Sequence, residues 1–349
     1  MGITAIGGRA AKVYIILVNW NGWKNTVECL ESVFHLGYKN YRVVVCDNGS
    51  QDESLQKIKE WAQGHLNATA ANQKLEKFVM PAVKKPIAFW EYERMEAEAG
   101  GNPDENHPLV LVQIGKNIGF AAANNIGLRY ALSRKDLSYA WLLNNDTVVT
   151  PQALGALVER METSARGGLC GSTLLYYAAP EKIQALGGVQ HSRWKCRSTN
   201  IGLGENFPSK IEPREVEKKM SYIMGASMLV SRRFLDDVGL MEEDYFLYFE
   251  EFDWAQRAKH RYELIYAPQS VVYHKGGETT RLHKQEKLSE TSLFYLQKNR
   301  IVFYRRFRPS FLWFLSVHML MDVLKAFMRG DFLRGKTIAK ALRSGLIER

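Results

Sequence analysis

Cysteine is scarce in this sequence of 349 residues. There are four cysteines, and they form no C-x-x-C pair and no Cys/His metal spacing: Cys29, Cys46, Cys170 and Cys196. This arrangement argues against a zinc site. Cys29 and Cys46 fall in apolar patterns, where buried thiols are common. Nothing in the cysteine pattern therefore requires an oxidising compartment.

Long apolar runs and targeting signals are also missing. No stretch of 18 or more apolar residues occurs, which argues against a clear membrane span. The N-terminus has no charged region followed by an apolar core, the pattern of a signal peptide. Ten prolines and 27 glycines give no low-complexity bias, and we find no internal repeat. We expect a cytoplasmic globular chain that forms one large domain or two smaller ones.

Two common nucleotide-binding motifs are absent or out of context. No G-x-G-x-x-G motif occurs, so a dinucleotide-binding fold is unsupported. Residues Gly330–Thr337 match the pattern G-x-x-x-x-G-K-[ST], but a P-loop requires a buried strand before it and a sheet-packing helix after it. The preceding segment, Phe311–Met328, predicts a helix. We therefore do not interpret the match as a P-loop.

Charge is unevenly distributed along the chain. The formal net charge is +10, and residues 300–349 alone contain eleven Lys or Arg and three Asp or Glu, a net charge of +8. Within this region Phe311–Met321 is nearly all apolar but too short to span a bilayer. An apolar helix with basic flanks suits an anionic membrane surface or a lipid-linked acceptor. It suits equally a helical pair that packs on the domain or on a second subunit.

The first part of the chain alternates strand and helix patterns. Lys12–Val18 and Tyr41–Cys46 are apolar, β-branched runs of the kind that is buried in a parallel sheet. Asn25 and Ser50 each precede a glutamate at capping-box spacing, which predicts a helix start at both positions. This order of elements predicts a parallel sheet with right-handed crossovers.

Residues 64–108 interrupt that alternation. They are polar and rich in Ala, Glu and Lys, with four prolines, and we interpret them as an insertion or long loop with one helical piece. The sheet resumes at Leu109–Gln113, and a turn at Gly115–Gly119 leads into a helix over Phe120–Leu132. Small residues at the start of that helix let its N-terminus approach a bound anion.

The stretch Tyr139–Thr147 runs apolar through Leu143 and then changes abruptly to Asn-Asn-Asp. This pattern predicts a buried strand whose C-terminal end opens into a site, where open α/β sheets bind ligands. Asp146 is a candidate ligand for Mg²⁺ or Mn²⁺ facing a diphosphate. A plain turn is the alternative, because Asn and Asp are common turn residues. Thr150 is then predicted to cap the next helix.

The second half has weaker periodicity. Residues 167–220 predict short strands and loops that cross over the site, and Ser231 is a predicted helix N-cap. Glu263–Ala267 and Ser270–His274 predict two further short strands. His274 closes the second strand as either a structural residue or a metal ligand.

A cluster of acids follows Phe249. If this region is helical, Glu250 and Asp253 share one face with Arg257. Glu251 then projects elsewhere, beside alanines and without an obvious cation. A carboxylate that faces a cleft is a candidate general base. An acidic first turn that complements the helix dipole is the alternative.

Five short motifs occur in order along the chain. They are Val18-Asn-Trp-Asn-Gly22, Asp47-Asn-Gly-Ser-Gln-Asp52, Lys116-Asn-Ile-Gly-Phe-Ala-Ala-Ala-Asn-Asn-Ile-Gly127, Leu143-Asn-Asn-Asp146 and Tyr248-Phe-Glu-Glu-Phe-Asp-Trp254. Together they resemble the family 2 glycosyltransferases, and the closest branch is the bacterial rhamnosyltransferase-like enzymes. The resemblance implies a GT-A fold, which is a mixed, mostly parallel sheet flanked by helices. It also implies a nucleotide-diphospho-sugar donor, a divalent cation (Mg²⁺ or Mn²⁺) and inversion at the anomeric carbon.

The resemblance further implies roles for individual residues. The residues implied to contact or shape the nucleotide-sugar site are Asn19, Asp47, Asn117, Gly119, Asn125, Asn144 and Asn145. Asp47 is implied at the nucleotide base. Asp146 matches the last acid of the family's D-x-D metal motif, and His274 matches a histidine that completes the metal site. The first acid of that motif is Asn144 here, which lowers the negative charge of the site.

The family's general base corresponds to Glu251, where a glutamate replaces the usual aspartate, and Asp253 is the second candidate. The implied reaction is attack by an acceptor hydroxyl on the anomeric carbon, from the face opposite the departing nucleoside diphosphate.

We therefore predict a GT-A domain over residues 12–285, with residues 64–108 as an insertion, and a basic helical extension over 286–349. The predicted product is a cell-surface polysaccharide, and the acceptor is a saccharide or lipid-linked. Residues 300–343 are predicted to contact an anionic membrane on its cytoplasmic face. No recognition fold for nucleic acid accompanies the basic residues. The alternatives are a sugar nucleotidyltransferase, whose Gly-rich basic loop is not present at Asn19–Gly22, and a catalytically silent membrane-associated module.

Overall fold

The computed structural model describes residues 10–276 and 288–347. Within these ranges the strands form a ten-stranded sheet and a separate three-stranded sheet. The strands are β1 Val13–Asn19, β2 Tyr41–Asp47, β3 Phe89–Glu93, β4 Leu109–Gln113, β5 Tyr139–Asn144, β6 Thr147–Val149, β7 Gly167–Tyr176, β8 Ile183–Leu186, β9 Gly188–Ser192, β10 Arg197–Asn200, β11 Tyr222–Ile223, β12 Ser227–Ser231 and β13 Glu263–His274.

Helices flank both faces of the large sheet and form the C-terminal part of the chain. They are α1 Trp23–Phe34, α2 Ser54–Gln63, α3 Arg94–Glu98, α4 Phe120–Ser133, α5 Ala153–Glu162, α6 Pro213–Lys219, α7 Arg232–Val238, α8 Glu250–Ala258, α9 Glu290–Phe307, α10 Leu312–Met328 and α11 Phe332–Ile347. The predicted α/β class is confirmed, with a helical C-terminal region.

The large sheet is mixed and mostly parallel. Its strand order is β3-β4-β2-β1-β5-β12-β7-β13-β6, and β8 pairs with β7. The first five strands of that order are parallel, β12 is antiparallel to both of its neighbours, and β13 is parallel to β7. The C-terminal ends of β1, β2, β5 and β13 therefore lie at one edge of the sheet. We call this the carboxyl edge.

Alternate residues of β1 enter two different cores. Ile15 and Leu17 pack with α1, α2 and α5 on one face of the sheet, whereas Tyr14 and Ile16 pack with α4, α7 and α8 on the other. All four side chains are fully buried. A strand that is covered on both faces has no polar alternation, which explains the continuous apolar run in the sequence.

Three of the four predicted helix caps are wrong. Asn25 lies inside α1, which begins at Trp23. Ser50 does not cap α2, because α2 begins only at Ser54. The helix α5 begins at Ala153, while the hydroxyl of Thr150 donates to the carbonyl of Val271 across the sheet. These polar side chains have partners outside their own helices, and such partners override a local capping pattern.

The fourth cap is confirmed. The Ser231 hydroxyl accepts a hydrogen bond from the backbone amide of Phe234 at 3.2 Å and caps α7.

The insertion is more ordered than a loop. Residues 64–108 contain a 3₁₀ helix at Gln73–Phe78, the strand β3 and the short helix α3. β3 pairs in parallel with β4 and extends the sheet by one edge strand. The prediction of a long loop is wrong at β3. Trp90 of β3 is exposed, and the sequence of β3 is not the continuous apolar run that indicates a buried strand.

The second half is also more regular than predicted. β7 has ten residues, all buried, and lies in the interior of the sheet. Its glycines admit close neighbours: a Cβ atom at Gly171 would lie 2.1 Å from the carbonyl oxygen of Gly187. The two strands predicted up to His274 are one strand, β13, with a bulge between Ala267 and Val271.

The C-terminal helices share a core with the rest of the chain. Phe303 of α9 stacks on Phe252 of α8 with ring centroids 4.1 Å apart, and Leu315 and Met319 of α10 are fully buried in the same cluster. The predicted domain boundary at residues 285 and 286 lies outside the described residues. Gly330–Thr337 follows α10 and runs into α11, so the P-loop context is absent as expected.

The apolar C-terminal segment is longer than the run Phe311–Met321. Pro309–Met328 has a mean hydropathy of 1.5, and 22% of its most apolar window is buried. Length and composition alone would allow it to cross a membrane, a test that core helices of soluble proteins also pass.

Candidate active site

The carboxyl edge joins three of the predicted site residues in one hydrogen-bond network. The Asn19 amide at the end of β1 donates to Asp47 Oδ1 at the end of β2, at 2.7 Å. The side-chain Oδ1 of Asn19 accepts from the Thr26 hydroxyl at 2.7 Å, and the side-chain amide of Asn145 donates to the same hydroxyl at 2.8 Å. Parallel strand ends meet at one edge, so the sequence already indicated the neighbourhood of Asn19, Asp47 and Asn145. It gave no signal for Thr26.

Asp47 is held in a fixed orientation. Its carboxylate accepts from the Ser50 hydroxyl at 2.6 Å and from the Ser50 amide at 3.1 Å. The side chain is 6% exposed. Ser50 therefore closes the turn after β2 onto Asp47, which is why it does not cap α2.

The loop before α4 is built around Asn48, which the sequence did not single out. The Asn48 amide donates to Asn117 Oδ1 at 3.0 Å, and Asn48 Oδ1 accepts from the amide of Ile118 at 2.9 Å. Gly119 has φ +89°, and a Cβ atom there would lie 2.4 Å from the carbonyl oxygen of Phe246. Only glycine tolerates this combination of backbone angle and close approach.

The N-terminus of α4 is partly occupied. The Phe120 amide donates to the carbonyl of Phe246 at 2.8 Å, so this donor is not directed at an anion. Asn125 lies farther along α4, and its amide donates to the carbonyl of Met241 and to Glu243 Oε1, both at 2.9 Å. The structure does not bring Asn125 to the carboxyl edge. It fixes the segment that leads to α8 instead.

Asp146 and His274 meet at the carboxyl edge. The strand β6 pairs antiparallel with β13 and places Thr147 opposite His274, so Asp146 in the preceding turn lies beside the imidazole. Asp146 Oδ1 is 3.1 Å from His274 Nε2. His274 Nδ1 is 2.8 Å from Gln184 Oε1, and the Asn144 amide nitrogen is 3.3 Å from Nε2. Gln184 thus fixes the ring orientation, a partner that the sequence gave no means of finding.

This pair fits a hard divalent cation. When Nδ1–H donates to Gln184, the Nε2 atom of His274 presents a lone pair towards the Asp146 carboxylate. A cation between Nε2 and the carboxylate would be stabilised by both groups. Neighbouring ligands of an octahedral cation with bonds of about 2.1 Å lie about 3 Å apart. Within residues 10–276 and 288–347 no group of three or more His, Cys, Asp or Glu is arranged so that it could hold a metal ion by itself. Mg²⁺ and Mn²⁺ sites of this kind complete their coordination with water and substrate phosphates.

A buried ion pair lies directly behind this site. Lys275 Nζ is 2.5 Å from Glu28 Oε2 and 2.7 Å from Asn25 Oδ1, and the Tyr177 hydroxyl also donates to Glu28 at 2.5 Å. The Lys275 amide donates to the carbonyl of Asp146. Glu28 therefore anchors the strand end that carries the metal-site residues, and it does not cap α1.

Glu251 lies on the first turn of α8 and reaches the same edge through Gly225. A Cβ atom at Gly225 would lie 2.1 Å from Glu251 Oε1. The backbone carbonyl of the next residue, Ala226, accepts a hydrogen bond from the backbone amide of Asn144 at 3.0 Å. These contacts connect the candidate base to the strand end that precedes Asp146. The predicted helix after Phe249 and the small neighbours of Glu251 are both present.

Burial changes the acid–base behaviour of the two glutamates. Desolvation raises the pKa of Glu251 to about 7, although the Gly225 amide favours the charged form. Desolvation and the charge of Glu251 raise the pKa of Glu250 well above its usual range. Glu250 is 2% exposed, and its Oε2 has no hydrogen-bond partner among the described residues. A base with a pKa near 7 is suited to proton transfer at neutral pH.

Asp253 is in a different environment. It is fully buried, and its carboxylate binds Arg257 Nε at 2.7 Å and Arg306 Nη1 at 3.1 Å. The predicted pairing of Asp253 with Arg257 is present. Desolvation raises the pKa of Asp253 although both guanidinium groups favour its charged form. Arg257 occupies Oδ1 and Arg306 occupies Oδ2, so neither oxygen is directed at an acceptor, and we assign Asp253 a structural part in the site.

The raised pKa of Glu251 makes stability depend on pH. Its ordinary value is 4.5, so between pH 4.5 and 7 the unfolded chain releases this proton while the folded chain retains it. Folding is therefore progressively destabilised as pH rises through this window. We expect Glu251→Gln to raise the melting temperature more at pH 8 than at pH 4.5, measured by calorimetry.

Glu159→Gln, at an exposed position of α5, is the matched control. An equal change in melting temperature at both pH values for Glu251→Gln would contradict this prediction.

Comparison with known proteins identifies relatives of this chain. A sequence profile described as "Glycosyl transferase family 2" matches residues 14–77 and 96–239. The low-salt glycan biosynthesis hexosyltransferase Agl10 of Haloferax volcanii is 23% identical over 151 residues. That alignment covers 42% of this chain and 45% of the relative, so the match spans less than half the length of Agl10.

Two solved structures have a fold similar to that of this chain. Mannosyltransferase PcManGT from Pyrobaculum calidifontis, solved with GDP-Man and Mn²⁺, has a TM-score of 0.50 at 14% identity, over 98% of this chain and 77% of its own. GalNAc-T7, solved with UDP, GalNAc and Mn²⁺, has a TM-score of 0.52 at 14% identity, over 83% of this chain and 48% of its own. At such identities the likeness establishes the fold alone.

Proposed function

The chain belongs to glycosyl transferase family 2 and is a glycosyltransferase, and we propose that it is an inverting enzyme. It moves a sugar from a nucleotide-diphospho-sugar to a hydroxyl group of a saccharide or lipid-linked acceptor. The observation that carries this proposal is the connection from Glu251 through Gly225 and Ala226 to Asn144. It places a candidate base and a candidate diphosphate site at the same edge of the sheet.

The nucleotide is proposed to bind where β1 and β2 end. The Asp47 carboxylate accepts hydrogen bonds from the nucleotide base, and Asn19 holds this carboxylate in place. Asn117 and Gly119 shape the opposite wall through the contacts of Asn48. Asn144 lies beside His274, and its side-chain amide is proposed to donate a hydrogen bond to an oxygen of the sugar nucleotide. The side-chain amide of Asn145 already donates to Asn19 and Thr26, so Asn145 is proposed to act by holding Asn19 in place. Asn125 acts indirectly, through the segment that leads to α8.

A divalent cation is proposed to be held by Asp146 and His274. When bound, it neutralises the negative charge that develops on the departing diphosphate. Gln184 holds the imidazole so that Nε2 faces the site, as partners of metal-binding histidines commonly do. Asn144 contributes a neutral side chain where the family motif has an acid. We therefore expect a weaker cation site than one built from two carboxylates.

Glu251 is proposed to take the proton of the acceptor hydroxyl. The hydroxyl oxygen then forms the new bond to the anomeric carbon as the bond to the diphosphate oxygen breaks, and attack from the opposite face inverts the configuration. The Gly225 amide fixes the direction of the carboxylate. Holding the donor and acceptor in line supplies much of the rate increase.

A transfer assay tests this function. The protein is incubated with Mn²⁺ and a panel of donors that includes GDP-mannose, UDP-N-acetylglucosamine and a nucleotide-linked rhamnose, since the motifs are closest to rhamnosyltransferase-like enzymes. We expect release of nucleoside diphosphate from one donor, and NMR of the product to show the inverted anomeric configuration. A retained configuration would contradict inversion, and no release from any donor would contradict the transferase proposal itself.

We further propose that α10 docks on an anionic membrane at its cytoplasmic face, close to a lipid-linked acceptor for polysaccharide synthesis. The opposite face of α10 is buried against α9 and α11. The exposed apolar side chains repeat at helical spacing along a single stripe: Trp313, Val317, Leu320, Leu324 and Phe327. A helix that is apolar on both faces requires a second apolar environment.

The positive charge around the stripe favours an anionic lipid surface as that second environment. Lys325, Arg329, Arg334 and Lys336 are exposed around the stripe, and basic residues near an anionic surface each contribute about 1 kcal/mol. Arg306 is an exception within the predicted 300–343 patch, because it is engaged with Glu242 and Asp253.

Membrane binding predicts the effect of charged substitutions in the stripe. We expect Leu320→Glu with Leu324→Glu to weaken cosedimentation with phosphatidylglycerol–phosphatidylcholine vesicles by at least about tenfold, because burying each leucine contributes about 1.5–3 kcal/mol. Met95→Glu with Leu203→Glu adds the same charge at exposed apolar sites outside α10 and is the matched control. Equal binding of the two variants would contradict the docking proposal. Protein that resists extraction by alkaline carbonate would indicate a spanning helix instead.

A further inference from the structure

The backbone is strained immediately before the two glutamates of α8. Tyr248 has φ +70° and Phe249 has φ +78°, so two consecutive bulky residues adopt the left-handed conformation that favours glycine. This conformation is unfavourable for residues other than glycine, and it persists only where its surroundings impose it. The turn formed by residues 247–249 therefore requires an external support.

Asn299 of α9 supplies that support. Its side chain is 1% exposed, and its amide donates to the carbonyls of Leu247 at 2.8 Å and Tyr248 at 3.1 Å. These are the two carbonyls that precede the left-handed residue Phe249. The amide of Asp253 donates to the carbonyl of Phe249 at 2.8 Å and begins α8 directly after this turn.

The rest of one face of α9 lies along the same segment. Tyr295 stacks on Phe246 at 4.7 Å, and Phe303 stacks on Phe252 at 4.1 Å. Tyr295, Asn299 and Phe303 are four residues apart and so share a helix face. Apolar and aromatic contacts hold the segment against α9. Among the described residues on this face of α9, only Asn299 donates hydrogen bonds to backbone carbonyls of the segment.

We propose that Asn299 is a positioning residue for Glu251. By bonding both carbonyls it holds the 247–249 turn in its left-handed form, and the turn sets the direction in which the first turn of α8 presents Glu251. The inference rests on the proposed function, in which Glu251 is the base. It extends the catalytic unit to a helix that lies beyond residues 14–239, the part of the chain that the family profile matches.

The expected effect is on turnover and not on donor binding. Without the amide, the turn relaxes towards negative φ, and the carboxylate of Glu251 moves relative to the acceptor. A displacement of about 1 Å lowers turnover by about 10²-fold. Asn19, Asp47 and Asp146, which are proposed to bind the donor, lie on other elements. Phe246, which meets the proposed donor residue Gly119, keeps its stacking on Tyr295 when the Asn299 amide is removed. The KM for the donor should therefore remain unchanged.

The test compares variants in α9 that differ in their contact with the turn. Asn299→Ala removes both bonds, and Ile301→Val shortens a fully buried side chain of the same helix without removing a hydrogen bond. For the most active donor of the panel, we expect Asn299→Ala to lower kcat by about 10–100-fold with an unchanged donor KM. We expect Ile301→Val to retain kcat within about twofold. Asn299→Ser, a smaller deletion that keeps one donor, should give an intermediate kcat.

Glycine rescue separates positioning from general stability. Glycine adopts positive φ without a Cβ penalty, so a turn with glycine at position 248 depends less on Asn299. We expect Tyr248→Gly to restore kcat at least about fivefold in the Asn299→Ala background, an effect that a merely structural role of Asn299 would not produce.

Two results would overturn the inference. One is a kcat for Asn299→Ala equal to that of Ile301→Val, and the other is an absence of rescue by Tyr248→Gly. Failure of the proposed function is distinguishable, because the wild-type protein would then release nucleoside diphosphate from no donor, or Glu251→Gln would retain full turnover. An inactive Glu251→Gln together with a fully active Asn299→Ala would reject only the positioning role.

Discussion

Glu251→Gln is expected to lower sugar transfer by about 10²–10⁴-fold, the range that a general base contributes. The substitution keeps the size of the side chain and its contact with Gly225 but removes the basic oxygen. Binding of the nucleoside diphosphate, measured by thermal shift with Mn²⁺, should be unchanged. In the wild-type protein the base must be deprotonated, so kcat should rise with pH through about 7, the pKa to which burial raises Glu251.

Glu250→Gln is the matched control, because it makes the same change at the neighbouring position. Burial and the charge of Glu251 raise the pKa of Glu250 well above its usual range, which favours the neutral form that an amide resembles, so we expect less than about a tenfold loss. If Glu251→Gln retains transfer, or if the two variants lose it equally, the assignment of Glu251 as the base fails.

Asp146→Asn is expected to weaken Mn²⁺-dependent binding of nucleoside diphosphate by at least about 100-fold. Loss of a group that merely orients a metal ligand already costs about 10–100-fold, and Asp146 is proposed as a ligand itself. Conversely, Asn144→Asp should strengthen Mn²⁺ binding, because it adds a second carboxylate beside His274. Calorimetric titration of Mn²⁺ in the presence of GDP or UDP measures both effects.

Asp136→Asn is the control for the change in charge. Asp136 lies before β5, where it accepts a hydrogen bond from the hydroxyl of Tyr14 at 2.8 Å, away from the carboxyl edge. Equal Mn²⁺-dependent binding by Asp146→Asn and Asp136→Asn would contradict the metal site.

The strands were predictable because their signal is local. β1, β2, β4 and β5 are apolar runs that are buried on both faces of the sheet, and each was placed to within one or two residues. The order of strands and helices then predicted which strand ends meet, and so the proximity of Asn19 to Asp47. The α/β fold therefore followed from patterns that span fewer than ten residues each.

Helix starts failed where a polar side chain has a distant partner. Glu28 has the spacing of a capping residue, yet it binds Lys275, which is 247 positions away in the sequence. The Ser50 hydroxyl accepts hydrogen bonds from Asn19 and from the backbone amide of Asn21, which are 31 and 29 positions away, and it does not cap α2. Such partners are invisible to a local pattern, which counts only residues within one turn of the helix.

The site was predictable as a set of residues but not as a geometry. The contact between Asp146 and His274 depends on the pairing of β13 with β6. β6 is a very short strand at the far end of the strand order. Gln184 lies in no motif, and the motif that contains Asn48 gives no signal for its contact with Asn117. Asn299 lies still further from any motif, and its role is visible only with the backbone angles of Tyr248 and Phe249.

The most direct test of the proposed site is calorimetric titration of GDP, UDP and their sugar conjugates into the wild-type protein, with Mn²⁺ and with EDTA. We predict that one nucleotide binds per chain, that binding requires Mn²⁺, and that Asp146→Asn abolishes it. Absence of binding by every nucleotide in the presence of Mn²⁺, or equal binding by wild type and Asp146→Asn, would contradict the site.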